Sequence, residues 1–435
     1  MTSVVLFRVM VCVVLGAIMS TAADRPTFYR DVLPILQAHC QSCHRPGEMA
    51  PMPLTTCANV RPWAASIRTA TMNRTMPPWF AAKSSAANSN IHFSNDPSLT
   101  DAQIATLAAW SDAHAPAGDP KDAPAPVHWT EGWNIDRPDV VFSMPKPFHL
   151  PAHGDVDYQY IIIPTNFKQD RWVSMSEIRP SNRMVVHHAV AYIREPGSNW
   201  LKGAPVGVAF SANQLPTAEA RRDAMFTVSD LLLVYAPGSL PDRWPAGYAK
   251  FAPAGSDIVL QMHYTTHGHA MDDRTSVGLV FARQPPRKRV ITLQLTNDHF
   301  LIPPGDPDKR VEVHGTIPND AELLSFFPHM HLRGKSFEYN MIPPGGHLTT
   351  LLRIPHYDFY WQLSYRLAQP IDLKAGTVLQ AVATFDNSKS NPHNPDPDAA
   401  VTWGEQTWAE MMVGFFDVAV DPSVDKTKFF IRGGR

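Results

Sequence analysis

The chain has 435 residues, a net charge of −2, 44% hydrophobic content, 41 prolines and four cysteines. That length implies about three domains with substantial cores, and the hydrophobic content excludes disorder, which needs weaker burial or a larger net charge. The balanced charge argues neither for nor against a charged partner; no nucleic-acid partner is expected, and the prolines suit a loop-rich β protein.

The first 23 residues read as an export signal. Arg8 precedes the apolar run Val9 to Met19, and the small residues Ser20, Thr21, Ala22 and Ala23 suit cleavage before Asp24. The run is short for a spanning helix; a retained anchor is the alternative. After cleavage the protein is expected to be exported, periplasmic or secreted, with no membrane association. Cys12 leaves with the signal and Cys40, Cys43 and Cys57 remain. With Cys40 and Cys43 in one motif, no structural disulfide is expected, and Cys57 is expected to be a small buried hydrophobe. An exported chain without disulfides must be held by its cores and by metals.

Residues 24–118 carry helical spacing: Phe28, Tyr29, Val32, Leu33 and Leu36, then Ile104, Leu107, Ala108 and Trp110. Thr100 and Gln103 form a capping box ahead of the second set. Between them lies "AHCQSCH", residues 38–44. Cys-x-x-Cys-His supports covalent c-type haem, with thioethers from Cys40 and Cys43 and iron ligation by His44. A redox dithiol would want a βαβ context, and a zinc site would want a second cysteine pair. The other axial position wants a thioether or imidazole. Met76 in "RTMPPW" is the first choice; Met49, Met52, Met72 and His92 compete. The segment resembles a small all-α cytochrome c domain, suited to electron transfer.

A Pro/Ala linker follows in "APAGDPKDAPAPV", with bounds set at 119–129. Beyond it the pattern becomes short apolar or alternating runs. Tyr158 to Ile163, Met184 to Ile193, Asp257 to Tyr264, Val277 to Phe281 and Val290 to Leu295 all read as strands. A break at residues 284–289 divides this region into 130–286 and 287–435. Two all-β sandwich, jelly-roll-like domains are expected.

Four clusters in the β region could bind metal: His187 with His188, His263, His329 with His331, and Met411 in "WAEMM". On a strand, His329 and His331 share a face. Adjacent His187 and His188 point apart unless a bulge, a twist or different ring nitrogens intervene. Each cluster alone also fits ordinary core or surface histidines. Imidazole and thioether donors together favour copper over magnesium or calcium.

In this order the clusters resemble the copper type II ascorbate-dependent monooxygenases, the family of peptidylglycine α-hydroxylating and dopamine β-monooxygenases. The resemblance spans residues 130–420. It implies an electron-transfer copper at His187, His188 and His263, and an oxygen-activating copper at His329, His331 and Met411, the catalytic centre. It further implies hydroxylation of a C–H bond in a small organic substrate by O2. Two electrons would come from ascorbate, from the haem, or from a redox partner protein through that haem. The chain departs from the eukaryotic members in lacking their disulfides. Phe327, Val413 and Phe415 stand where peptide-hydroxylating members place Arg, Asn and Tyr, so a peptidylglycine substrate is not expected. The alternatives are an exported haem and copper electron-transfer or copper-binding protein without hydroxylase activity, and a structural domain with a haem sensor.

Overall fold

Residues 25–48, 50–83, 91–129, 132–225, 230–426, 429 and 431–432 are described by the computed structural model. The expected signal, Cys12 and Met49 lie outside them. Among the described residues no helix is long and apolar enough to cross a membrane.

The first helical pattern forms a π turn, Phe28–Val32, running into the helix Leu33–His39. The second forms the helix Asp101–Asp112, opened by the Thr100–Gln103 capping box, which satisfies backbone donors on both sides of the cap. Phe28, Leu36, Leu107 and Trp110 are fully enclosed and make a small core with Val32, Leu54 and Val60. Cys57 differs from expectation. It opens the short helix Cys57–Val60 and is only partly buried, because the first turn of that helix faces outward.

The linker also differs. Rather than running free, Ala115 enters the helical core, and Pro116 and Ala117 accept hydrogen bonds from the Phe28 and Tyr29 amides. Pro120–Asp122 forms a 3-10 turn, and Gln37 reaches Ala125 O. The prolines remove donors, yet the carbonyls remain acceptors, so the strap is laid onto the helices.

The β region forms two sandwiches joined by a shared sheet. In the first, a four-stranded sheet (Gln159–Pro164, Asp257–Tyr264, Val186–Arg194, Asp230–Tyr235) packs on strands Val140–Ser143, Ser276–Phe281, Arg171–Arg179 and Tyr248–Ala252. In the second, Lys288–Thr296, Val413–Val420, Ala321–His329 and Tyr365–Leu373 pack on a five-stranded sheet. Lys288–Thr296 pairs in parallel with Tyr248–Ala252, so one nine-stranded sheet runs through both halves. The proline-rich break at 284–289 therefore marks where the chain crosses over, not a gap between bodies.

Candidate metal centres

His188 and His263 face each other across the pairing of Val186–Arg194 with Asp257–Tyr264, and the register shifts between Val186 and His188. That bulge falls on His187 and re-aims its side chain, so adjacent histidines turn to one point. His187 Nδ1 lies 3.1 Å from His188 Nδ1, and His263 Nδ1 lies 3.4 Å from the same atom. One nitrogen from each ring falls within 4.8 Å of the others. Tyr158 stacks on His263 with ring centroids 4.7 Å apart, and its hydroxyl stands 3.3 Å from His188 Nε2. With Nδ1 turned into the cluster, Nε2–H donates to Tyr158, which fixes the tautomer.

The second set is built at the end of Ala321–His329. His329 Nδ1–H donates to Gln362 Oε1 at 2.7 Å, and His331 Nδ1–H donates to Ala409 O at 3.3 Å. Both acceptors lack protons, so each ring keeps Nε2 as a lone pair. The buried Glu410 carboxylate accepts from the His331 amide at 2.9 Å and the Arg333 amide at 2.6 Å. It thereby fastens the segment before Met411 to the His-x-His segment. Met412 is fully buried in the second core, while its neighbour Met411 is only partly buried.

All five imidazoles are held neutral, burial being the first cause. His187 is lowered to about 4 and His263 to about 3. His188 and His331 fall well below the usual value, and His329 is lowered too. Neutral imidazole is the ligating form. His331 Nε2 is buried with no hydrogen-bond partner, and so is His187 Nε2. Orphaned buried nitrogens are costly; a cation at His331 Nε2 would relieve that one, while in the first set it is the Nδ1 atoms, not His187 Nε2, that face one another. The residues present thus fit metal ions.

The two sets are not far apart, as placement on separate domains would suggest. The rings of His188 and His329 are 5.8 Å apart. Phe359 stacks on His187 at 4.6 Å and meets His331 edge-on at 6.2 Å. Gln362, Phe359, Tyr158 and Glu410 escape the sequence pattern. Glu410 alone has a signal, standing directly before Met411; the others sit in irregular or strand-leading positions without periodicity.

In the helical unit, Cys40 and Cys43 are both partly buried and not joined to each other, and burial pushes the Cys40 thiol up to about 12. His44 Nδ1 lies 3.1 Å from Met52 O, leaving Nε2 for another partner. That is the arrangement an axial imidazole needs. Met76 lines a cleft of about 570 Å³ with Trp79, His92, Phe93, Leu99 and Ile104. Cys40, Cys43 and His44 are not among its walls. His39, next to Cys40, hydrogen-bonds Pro97 O and Gln103, beside that cleft.

Fold and site together define a β-sandwich protein with two adjoining imidazole clusters. Residues 288–415 match the family model for the C-terminal domain of copper type II ascorbate-dependent monooxygenases. The matched segment holds His329, His331 and Met411. No curated protein matches the chain. Among solved structures, PNGF-II is similar at 10% identity over 67% of this chain and 63% of its own, with a TM-score of 0.25. The chain thus spans less than two thirds of PNGF-II. The VP2 subviral particle of infectious bursal disease virus is similar at 9% identity over 70% of this chain and 79% of its own, with a TM-score of 0.19.

Proposed function

We propose that the protein is an exported copper monooxygenase that hydroxylates a C–H bond of a small organic substrate with O2. The carrying observation is the set of three neutral imidazoles whose ring nitrogens lie within 4.8 Å of one another, adjoined by His329 and by His331 with its orphaned Nε2. In this reading His187, His188 and His263 hold an electron-storing copper; His329, His331 and Met411 hold the oxygen-binding copper. A thioether there favours the reduced ion. Copper supplies the one-electron steps and the O2 chemistry. The chain's own groups set the geometry. Tyr158, Gln362 and Ala409 O fix the tautomers, and Glu410 ties the methionine segment to the histidine strand. Phe327 and Phe415 face one another in register, 6.1 Å between rings, which supports an apolar or aromatic substrate over a carboxylate-bearing peptide.

Cys40, Cys43 and His44 are proposed to carry a covalent haem with Met76 as second axial ligand, passing electrons to the first copper beside or in place of ascorbate. Copper-loaded protein reduced with ascorbate should consume O2 faster when a panel of apolar and aromatic compounds is supplied. Two bound coppers with no substrate-dependent uptake would leave an electron-transfer protein instead. Replacing both motif cysteines, Cys40→Ala with Cys43→Ala, should abolish haem staining on a denaturing gel. Met76→Ala should alter the axial-ligation spectrum without releasing haem; an unchanged spectrum would move that role to Met52, Met72 or His92.

A further inference from the structure

The strand that carries His263 runs on into a loop surrounded by three further histidines, none of them used by the two centres. Thr265 continues the strand pairing, its amide donating to Val185 O at 2.9 Å. The chain then leaves the sheet through Thr266, His267, Gly268 and His269. A second loop, residues 151–155, lies against it: the Gly268 amide donates to Ala152 O at 2.9 Å, and the Thr266 hydroxyl to Gly154 O at 3.2 Å. Pairing of Phe148–Leu150 with Met271–Asp273 closes both loops. Gly268 sits at φ +80°, and a Cβ there would lie 3.8 Å from His153 Cε1. His153 thus rests on the residue that separates His267 from His269, whose Cα atoms are each about 3.8 Å from that of Gly268. An imidazole reaches farther than that from its own backbone, so side-chain rotation can bring three ring nitrogens to one point. All three rings are exposed, and among the described residues none of them is held by a hydrogen bond or ion pair. Nearby His149, by contrast, has its Nδ1 2.5 Å from Asp272 Oδ1.

We propose that His153, His267 and His269 form a surface capture site for a cupric ion, which feeds the buried set at His187, His188 and His263. Three imidazoles suit a borderline divalent ion, and among such ions copper binds nitrogen donors most tightly. The exposed rings lack the partners that orient buried ligands, and such partners are worth about 10- to 100-fold in metal affinity. The capture site therefore holds its ion more loosely than the buried set does, which is what release to that set requires. Delivery is short: four residues separate His263 from His267, so their Cα atoms lie at most about 14 Å apart. An ion held there stands at high effective concentration for the buried nitrogens. The delivery role rests on the copper reading above; the capture site does not.

The test uses the full chain, stripped of metal and dialysed against dilute cupric ion, with copper counted per chain. The triple variant His153→Asn, His267→Asn, His269→Asn should bind one ion fewer than the wild type. His347→Asn, at an exposed histidine elsewhere, should bind the same number as the wild type. Equal counts in the wild type and the triple variant, or an equal loss in His347→Asn, would overturn the capture site. Loading is followed with limiting copper, as the ion retained after a brief chelator wash that strips exposed sites. It should be slower in the triple variant and reach the same final occupancy; an unchanged rate would overturn delivery. If the triple variant loses its ion but neither protein retains copper after the wash, the copper reading falls, and delivery with it, while the capture site stands.

Discussion

Gln362 shows how a single side chain decides what an imidazole can do. Its Oε1 accepts only, so His329 must carry its proton on Nδ1 and offer Nε2. Gln362→Leu preserves volume but leaves the tautomer and ring angle unfixed. Loss of such a partner typically costs 10- to 100-fold in metal affinity. A chelator competition titration should find that loss at one of the two coppers, with the other changed much less. Equal weakening of both sites would point to a disturbed fold. At this scale the sequence announced the histidines and Met411 through their residue types and order. It could not announce their partners: Gln362 lies in "HYDFYWQLS" and Tyr158 leads an ordinary strand. The convergence of His187 with His188 depends on a bulge that no composition rule specifies, since alternation alone sends neighbours to opposite faces.

The strands were readable because their apolar runs follow the burial pattern closely, as in Asp257–Tyr264. Short connecting elements were not, and residues 403–410 are the clearest case. There Trp403 bridges Glu410, and between them the loop touches the first sandwich. Glu405 accepts from the Tyr160 hydroxyl at 3.4 Å, and Gln406 donates to Asp157 at 3.3 Å. Burial, with Asp157 adding repulsion against the Tyr160 bond, raises Glu405 from 4.5 to about 7. The folded chain thus holds this proton more tightly than the unfolded chain does. Between about pH 4.5 and 7 the unfolded state binds fewer protons, so this group's contribution falls as pH rises and levels off above 7. Glu405→Gln keeps an amide oxygen for Tyr160 and removes the titration. The variant should match the wild type near pH 4.5 and become progressively more stable towards pH 7, by at most about 3 kcal/mol. Urea unfolding of both proteins across that range measures it. A difference that does not vary with pH would remove the buried charge as its cause.

Over the whole molecule, the helical unit is seated on both sandwiches. Residues 79–83 and 91–95 lie along the second: Ala82 donates to Arg353 O and Ser94 to Arg366 O, each at 2.8 Å, while Trp79 packs on Tyr365 at 4.8 Å. On the first, Glu48 pairs with Arg45 at 2.9 Å and Arg183 at 2.7 Å. Arg45 also reaches Asn134 and lies over the Trp129 ring at 4.3 Å. None of this was legible, because each contact joins residues remote in sequence, and charges on a surface carry no mark of their partner. Arg183 stands shortly before His187. Nearby, Tyr235 pairs across strands with Ala189, next to His188. Its hydroxyl, pushed up to about 12 chiefly by burial, also feels Arg183, Glu48, Asp273 and Cys43. The Cys-x-x-Cys-His loop is therefore held beside the strand that carries the first histidine set. If the proposed haem feeds that set, the Glu48–Arg183 pair fixes the distance the electron crosses. Arg183→Gln should loosen this contact while Arg45 still neutralises Glu48, so the fold should survive. Haem reduced anaerobically and mixed with O2 and substrate should reoxidise more slowly in the variant, and turnover driven by ascorbate should change little. Stopped-flow absorbance follows the first and oxygen uptake the second. Equal haem reoxidation in Arg183→Gln, or in a copper-free His187→Ala, His188→Ala protein, would mean that the haem serves a different acceptor.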